Sequence, residues 1–107
     1  MMKSINNTTT QNDILQATKD GFFLLRSNCE NYIKKINPLF LDDETFVSTF
    51  LNTQYEVFND FFMNQPFTLD IMPYYDFNWC VFEHLSKRLL AKKDFVLSIF
   101  KNNSEIY

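Results

Sequence analysis

The scarcity of glycine constrains this chain more than any other feature of its sequence. Among 107 residues there is one glycine, Gly21, and there are three prolines. Sandwiches and barrels of β-strands need many tight turns, and those turns need residues that tolerate positive φ or fix φ. A chain with so few of these residues favours long helices joined by few connections, so we expect an all-α fold.

The length and the apolar content indicate one folded domain. With 46% hydrophobic and 18% aromatic residues, the chain can bury a single core, but 107 residues are too few for two cores. Disordered chains lack the apolar surface that offsets conformational entropy. Residues 1–11 are polar and without periodicity, so we expect a flexible N-terminal arm there and a single helical domain over residues 12–107.

Apolar residues at helical spacing predict three long helices in this domain. We place these helices at residues 12–36, 43–64 and 77–91. Asp42 and Asp76 precede the second and third helices, where an aspartate side chain can accept a hydrogen bond from a free backbone N–H. We therefore expect a small helical bundle in which the second helix, the most apolar of the three, is central.

Two positions in this pattern leave alternatives open. Gly21 lies within the first helix, where glycine costs about 1 kcal/mol relative to alanine, so a bend or a break is expected there. The run FVLSIF at residues 95–100 fits helical spacing, but its length and β-branched residues also fit a strand. We favour a short C-terminal helix because no second strand is available for pairing. The alternative is an α+β fold with a strand at residues 95–100.

The acidic residues are concentrated in the middle of the chain. From residue 42 to residue 83 there are eight Asp or Glu residues and no Lys or Arg, although the net charge of the chain is only -3. One interpretation is that these acids pair with the basic residues at the two ends. The other is that they share an exposed face with aromatic residues. Such a face would attract a basic surface on another protein and repel nucleic acid.

Four aromatic residues, Tyr74, Tyr75, Phe77 and Trp79, fall within six positions around the start of the third helix. One turn of chain cannot direct all four rings inward. We expect Phe77 in the core, and Trp79 with one of the tyrosines partly exposed, where these residues offer rigid contact area of the kind found in binding hot spots. The alternative is that all the rings cover the ends of the first two helices.

No residue pattern in the sequence indicates catalysis or a bound metal. His84 is the only histidine, and Cys29 and Cys80 lack metal-ligand spacing. The single glycine also leaves no phosphate-cradling loop. We therefore expect a protein that is not an enzyme and has no metal or cofactor. The two cysteines fit small buried residues in a reducing compartment, and with no secretory signal or apolar run of membrane length we expect a cytoplasmic location, in its own cell or a host.

These features together predict a non-enzymatic protein-binding module. We expect a small acidic inhibitor or immunity-type protein that occludes a basic, nucleic-acid-binding surface of another protein, such as a nuclease. Toxin-neutralising immunity proteins and phage-encoded inhibitors of bacterial defence, including anti-CRISPR proteins, share this general character without a shared motif. The expected partner contacts are Glu56, Asp60, Asp70, Tyr74, Tyr75, Asp76 and Trp79.

Two alternative functions remain open. A small helical DNA-binding regulator would use the basic side of the third helix, formed by Lys87, Arg88, Lys92 and Lys93. The net acidity and the missing glycine turn of a helix-turn-helix speak against it, so we do not expect a nucleic-acid partner. A homodimeric structural subunit would instead complete the wide apolar face of the second helix with another copy. We expect no membrane partner.

Overall fold

The computed structural model describes residues 5–64 and 74–103, without the side chains of residues 62–64, 74–76 and 100–103. This part of the chain contains six α-helices and no β-strand, which confirms the predicted all-α fold. Residues 95–100 lie inside the last helix, so the alternative strand is wrong. The helices are α1 Gln11–Lys19, α2 Arg26–Tyr32, α3 Glu44–Asn64, α4 Tyr74–Phe82, α5 Lys87–Leu90 and α6 Lys93–Asn103.

The first predicted helix is interrupted at Gly21, between α1 and α2. Gly21 adopts a φ of 91°, in the left-handed region that glycine enters without a Cβ clash. A 3-10 turn over Phe22–Leu24 follows, and it changes which side chains after Gly21 point towards the core. Phe23 and Leu24 are buried as a result, whereas Leu25 is 44% exposed. One long helix is therefore replaced by two short helices that meet at an angle set by the glycine.

Part of the segment that we expect as an N-terminal arm contributes to the core. Ile5 is 1% exposed and belongs to the same buried cluster as Ile14. Thr10 forms the N-cap of α1, because its hydroxyl accepts a hydrogen bond from the backbone N–H of Asp13 at 3.1 Å. Helix α1 therefore begins at Gln11, slightly before the predicted start.

Helix α3 begins at Glu44, one residue after the start predicted from the sequence. Asp43, and not Asp42, is the N-cap, since its Oδ1 accepts a hydrogen bond from the backbone N–H of Phe46 at 3.1 Å. The other carboxylate oxygen accepts a hydrogen bond from Gln11 Nε2 at 3.2 Å. These two bonds, the one from Phe46 first, hold the pKa of the Asp43 carboxyl below its usual range. The cap thus also ties the start of α1 to the start of α3.

Phenylalanine rings form the centre of the core around α3. The ring centroid of Phe50 lies 5.4 Å from Phe23, 5.5 Å from Phe46 and 5.4 Å from Phe77. These distances are typical of favourable aromatic pairs, and all four rings are buried. Helix α3 therefore contacts the turn after α1 and helix α4 at the same point. The apolar spacing of α3 places five residues of the predicted helix in the core or at its edge: Val47, Phe50, Leu51, Gln54 and Phe58 are all buried.

The third predicted helix is also divided, into α4 and α5. Helix α4 begins at Tyr74, so Asp76 lies inside it and is not its N-cap. A turn over residues 83–85 leads to Ser86, whose Oγ accepts a hydrogen bond from the backbone N–H of Leu89 at 3.1 Å and caps α5. Apolar residues on both sides of the division are nevertheless buried: Val81, Phe82, Leu85 and Leu89.

Candidate functional site

The seven predicted partner contacts divide into three groups. Glu56 and Asp60 are exposed on α3, and Trp79 is exposed on α4. Asp70 lies outside the described residues. The other three occupy positions of α4 whose side chains are not described: Tyr74, Tyr75 and Asp76.

The structure does not bring the α3 acids and the α4 indole together. Phe50 of α3 faces Phe77 of α4, with 5.4 Å between the ring centroids. Helical spacing places Glu56 about 120° and Asp60 about 80° around α3 from Phe50. The same spacing places Trp79 on the side of α4 opposite to Phe77. Both groups are exposed and lie off the Phe50–Phe77 contact, on two different helices.

Trp79 is the most prominent feature of the outer side of α4. It is 63% exposed, whereas Phe77 and Val81 on the inner side are completely buried. Glu83 lies one helical turn after Trp79 and is also exposed, and Asp76 occupies the position one turn before it. The backbone N–H of Glu83 donates a hydrogen bond to the carbonyl oxygen of Trp79 at 3.1 Å, so an exposed carboxylate follows the indole directly at the end of α4.

Helix α2 carries a second exposed carboxylate, Glu30, in the region where α2 packs against α4. The Sγ of Cys80, the residue after Trp79, lies 4.0 Å from the backbone carbonyl oxygen of Cys29. Burial raises the pKa of the Cys80 thiol, and the charges of Glu83 and Glu30 raise it further, so both carboxylates lie within electrostatic reach of this thiol. Glu30 is exposed. We define the acidic indole surface as Trp79, Glu83 and Glu30.

An open cavity adjoins the acidic indole surface on the α2 side. Its volume is about 350 Å³, and it is lined by Leu25, Arg26, Ser27 and Glu30. Leu25 is exposed there because the break at Gly21 turns it away from the core. The cavity therefore combines an apolar side chain, an arginine and a carboxylate within the same recess.

Two acids of the middle segment are paired with bases near the C-terminus. Arg88 Nε lies 2.9 Å from Asp42 Oδ1, and Lys92 Nζ lies 2.9 Å from Glu44 Oε2. Ser86 Oγ donates a hydrogen bond to the same oxygen of Asp42 at 2.5 Å, and this bond, followed by the one from Arg88, holds the pKa of the Asp42 carboxyl low. The interpretation that acids of the middle segment pair with basic residues near the C-terminus therefore holds for the acids at the start of α3.

The sequence predicts that the basic residues of the alternative nucleic-acid site lie along one helix, but in the structure they do not. Lys87 and Arg88 belong to α5, Lys92 lies between the helices, and Lys93 begins α6. Because helix α5 ends at Leu90, Lys87 and Arg88 are separated from Lys92 and Lys93. Two of the four bases, Arg88 and Lys92, already have anionic partners within the chain. The remaining charge is weaker and less regular than a recognition helix needs.

The alternative homodimer face is used largely within the chain. Phe46 and Phe50, on the wide apolar side of α3, pack against rings of the same chain. Tyr55, Val57 and Phe61 are partly buried around a smaller cluster formed by Leu24 and Phe58. The core thus occupies most of the surface that a second copy was expected to cover.

Searches for other kinds of site and for related proteins identify no activity. Within residues 5–64 and 74–103, no group of three or more His, Cys, Asp or Glu side chains is arranged to hold a metal ion. None of the helices described is both long and apolar enough to cross a membrane. Comparison with protein-family models, curated proteins and solved structures found no match to this chain. The observations define a small all-α domain with an acidic indole surface.

The carboxylates around Trp79 are expected to be detectable in solution, because Trp79 is the only tryptophan. At low ionic strength, Cs⁺ is expected to quench its fluorescence about twofold more strongly than iodide, relative to the quenching of free N-acetyltryptophanamide. The reason is that a negative local potential concentrates cations and repels anions.

Two double variants with equal changes in charge separate a local effect from a global one. Glu30→Lys with Glu83→Lys is expected to reverse the order of the two quenchers. Glu56→Lys with Asp60→Lys, at two exposed residues of α3, is expected to leave that order unchanged. If Cs⁺ and iodide quench the native protein equally, each relative to its quenching of free N-acetyltryptophanamide, the result would contradict the negative potential that we assign to this surface.

Proposed function

We propose that this protein binds another protein through the acidic indole surface and that the partner presents a basic surface to it. The observation that carries this proposal is the exposure of Trp79. The described part of the chain buries three rings completely, Phe23, Phe50 and Phe77, yet leaves the largest side chain 63% exposed. Burial of an aromatic side chain contributes about 2 kcal/mol, which contact with a partner would recover.

The chemistry of the surface suits a lysine or arginine side chain of the partner. A cation within about 6 Å of an indole ring is attracted to its π-face. Carboxylates such as Glu30 and Glu83 accept charge-assisted hydrogen bonds, and a guanidinium can donate two of them in parallel. The cavity beside Leu25 has room for a neighbouring apolar side chain. An indole surrounded by polar contacts that exclude water is the usual arrangement of a binding hot spot.

The specific role that we propose is inhibition of a nucleic-acid-processing protein. A basic surface that binds phosphates would also attract the carboxylates of the acidic indole surface, and occupation by a folded domain would block access to nucleic acid. The net charge of -3 supports this role over nucleic-acid binding by the domain itself. An immunity protein against a nuclease and a phage-encoded inhibitor of a defence nuclease, each acting in a cytoplasm, both fit the proposal.

Affinity capture from nuclease-treated lysate of the native or host cell tests this function. The baits are the native chain, the Glu30→Lys/Glu83→Lys variant and the Glu56→Lys/Asp60→Lys variant, whose net charges change equally. We expect the native bait and the α3 variant to retain one stoichiometric basic protein, and the variant of the acidic indole surface to lose it. Circular dichroism of all three baits checks that each is folded.

Other outcomes of the capture would contradict the proposal. Equal retention by both variants would exclude the acidic indole surface, and loss from the α3 variant alone would place the site around Glu56 and Asp60. Recovery that depends on intact nucleic acid would favour the DNA-binding alternative. Recovery of an untagged second copy alone would favour the homodimer.

A further inference from the structure

Two cysteines on neighbouring helices lie beside the acidic indole surface, where the thiol of one approaches the backbone of the other. Cys29 on α2 is buried, Cys80 on α4 is half-buried, and both are free thiols. Cys80 Sγ lies 4.0 Å from the carbonyl oxygen of Cys29, and α2 and α4 contain residue pairs whose Cα atoms lie within 8 Å. Disulfides require Cα atoms about 4.4–6.8 Å apart, so the two helices need to approach closely at these residues for the bond to form.

We propose that Cys29 and Cys80 form a reversible disulfide that fastens α2 to α4 under oxidising conditions. The two thiols lie far apart in the sequence, and only the packing of α2 on α4 brings them together. The bond would lie next to Trp79 and Glu30, so it would fix the relative positions of the two helices that carry the acidic indole surface. Formation of the bond does not depend on whether that surface binds a partner.

Glutathione disulfide is a suitable oxidant, and the exchange is balanced. The more accessible thiolate, that of Cys80, attacks one sulfur of glutathione disulfide, breaks its S–S bond and releases one glutathione thiolate. The thiolate of Cys29 then attacks the sulfur of Cys80 in the mixed disulfide, forms the protein disulfide and releases the second glutathione thiolate. Each protein thiol loses a proton to water and each released thiolate gains one. The protein loses two electrons, and glutathione disulfide gains them.

The surroundings of the thiols indicate that the exchange is slow at neutral pH. Burial, with a further contribution from Cys80, raises the pKa of the Cys29 thiol to about 12. Burial also raises the pKa of Cys80, and Glu83 and Glu30 add to that effect. Cys29 Sγ in addition donates a hydrogen bond to the carbonyl oxygen of Phe23 at 3.0 Å. Since the thiolate is the reacting form, the pair stays reduced during brief exposure and closes during sustained oxidation.

Equilibrium with a glutathione redox buffer tests the proposal on the intact chain. The protein is equilibrated from the reduced and the oxidised side, with and without concentrated urea, and the Cys29–Cys80 disulfide is quantified by alkylation and peptide mass mapping. We expect the ratio of oxidised to reduced protein to be about tenfold or more larger in the native state than in urea, because a bond that fits the fold stabilises the native state relative to the unfolded chain. The oxidised protein should also melt about 10 °C higher than the reduced protein.

Single serine variants provide the control, since Cys29→Ser and Cys80→Ser each remove one partner. Cys80→Ser changes only the half-buried thiol, so this variant is expected to stay folded. Either variant is expected to yield at most a mixed disulfide with glutathione. A ratio no larger in the native protein than in urea, or a native protein that yields only mixed disulfides, would overturn the proposal.

Discussion

Replacement of Phe50 by alanine is expected to lower the free energy of unfolding by about 3–5 kcal/mol. The Phe50 ring is completely buried and packs against the rings of Phe23, Phe46 and Phe77, so its removal leaves a cavity among large side chains that cannot easily close. Urea denaturation followed by circular dichroism measures the change. A loss of this size is a large part of the total free energy of unfolding of a domain of this length, so the variant is expected to be partly unfolded at 37 °C.

Two other substitutions serve as controls for Phe50→Ala, one conservative at the same position and one at the surface. Phe50→Leu retains most of the apolar volume and is expected to cost no more than about 1.5 kcal/mol. Leu39→Ala, at a side chain that is 74% exposed, is expected to change the free energy of unfolding by less than about 0.5 kcal/mol. A loss below about 1 kcal/mol for Phe50→Ala would show that the four rings do not form the centre of the core.

Replacement of Trp79 by alanine is expected to weaken binding of the captured partner about 30-fold or more, which corresponds to about 2 kcal/mol. The indole is already 63% exposed in the free protein, so the same substitution is expected to change the free energy of unfolding by less than about 0.5 kcal/mol. Titration calorimetry with the purified partner measures the affinity, and urea denaturation measures the stability.

Leu97→Ala is the matched control for Trp79→Ala. Leu97 is an exposed apolar side chain on α6, 52% accessible, and does not belong to the acidic indole surface. We expect its removal to change the affinity less than about twofold. A loss of affinity as large for Leu97→Ala as for Trp79→Ala would mean that general surface apolarity, and not the indole, accounts for binding.

The fold class and much of the core were predictable because they depend on local pattern. The scarcity of glycine predicted helices, and apolar spacing predicted the buried face of α3, from Val47 to Phe58. The same spacing correctly distinguished Phe77, which is buried, from Trp79, which is exposed. These residues are separated by half a helical turn, so one faces the core whenever the other faces solvent.

The exact ends of the helices could not be predicted from sequence alone. Asp42 and Asp43 are adjacent residues of the same type. Only the hydrogen bond that Asp43 accepts from the backbone N–H of Phe46 shows that the second is the cap, and only the contact with Arg88 shows that the first is an ion-pair partner. Gly21 was expected to bend the first helix, but the exposure of Leu25 depends on the φ angle that the glycine adopts.

The composition of the candidate site was only partly accessible from sequence. Glu83 lies four residues after Trp79 within the third helix predicted from the sequence, so simple helical spacing could have included it. Glu30 lies on a different helix and outside the acidic middle segment, and it joins the surface only because α2 packs on α4 at Cys29 and Cys80. Long-range packing of this kind leaves no signal in a single sequence.

The accessibility of Trp79 in the complex is the most direct measure of the proposed function. Because Trp79 is the only tryptophan in the chain, quenching of its fluorescence by neutral acrylamide reports on this position when the partner is free of tryptophan or carries a non-fluorescent analogue. We predict that saturation with the partner lowers the quenching constant severalfold, since the indole becomes buried in the interface. An unchanged quenching constant at saturation would show that the partner binds elsewhere and would contradict the proposal.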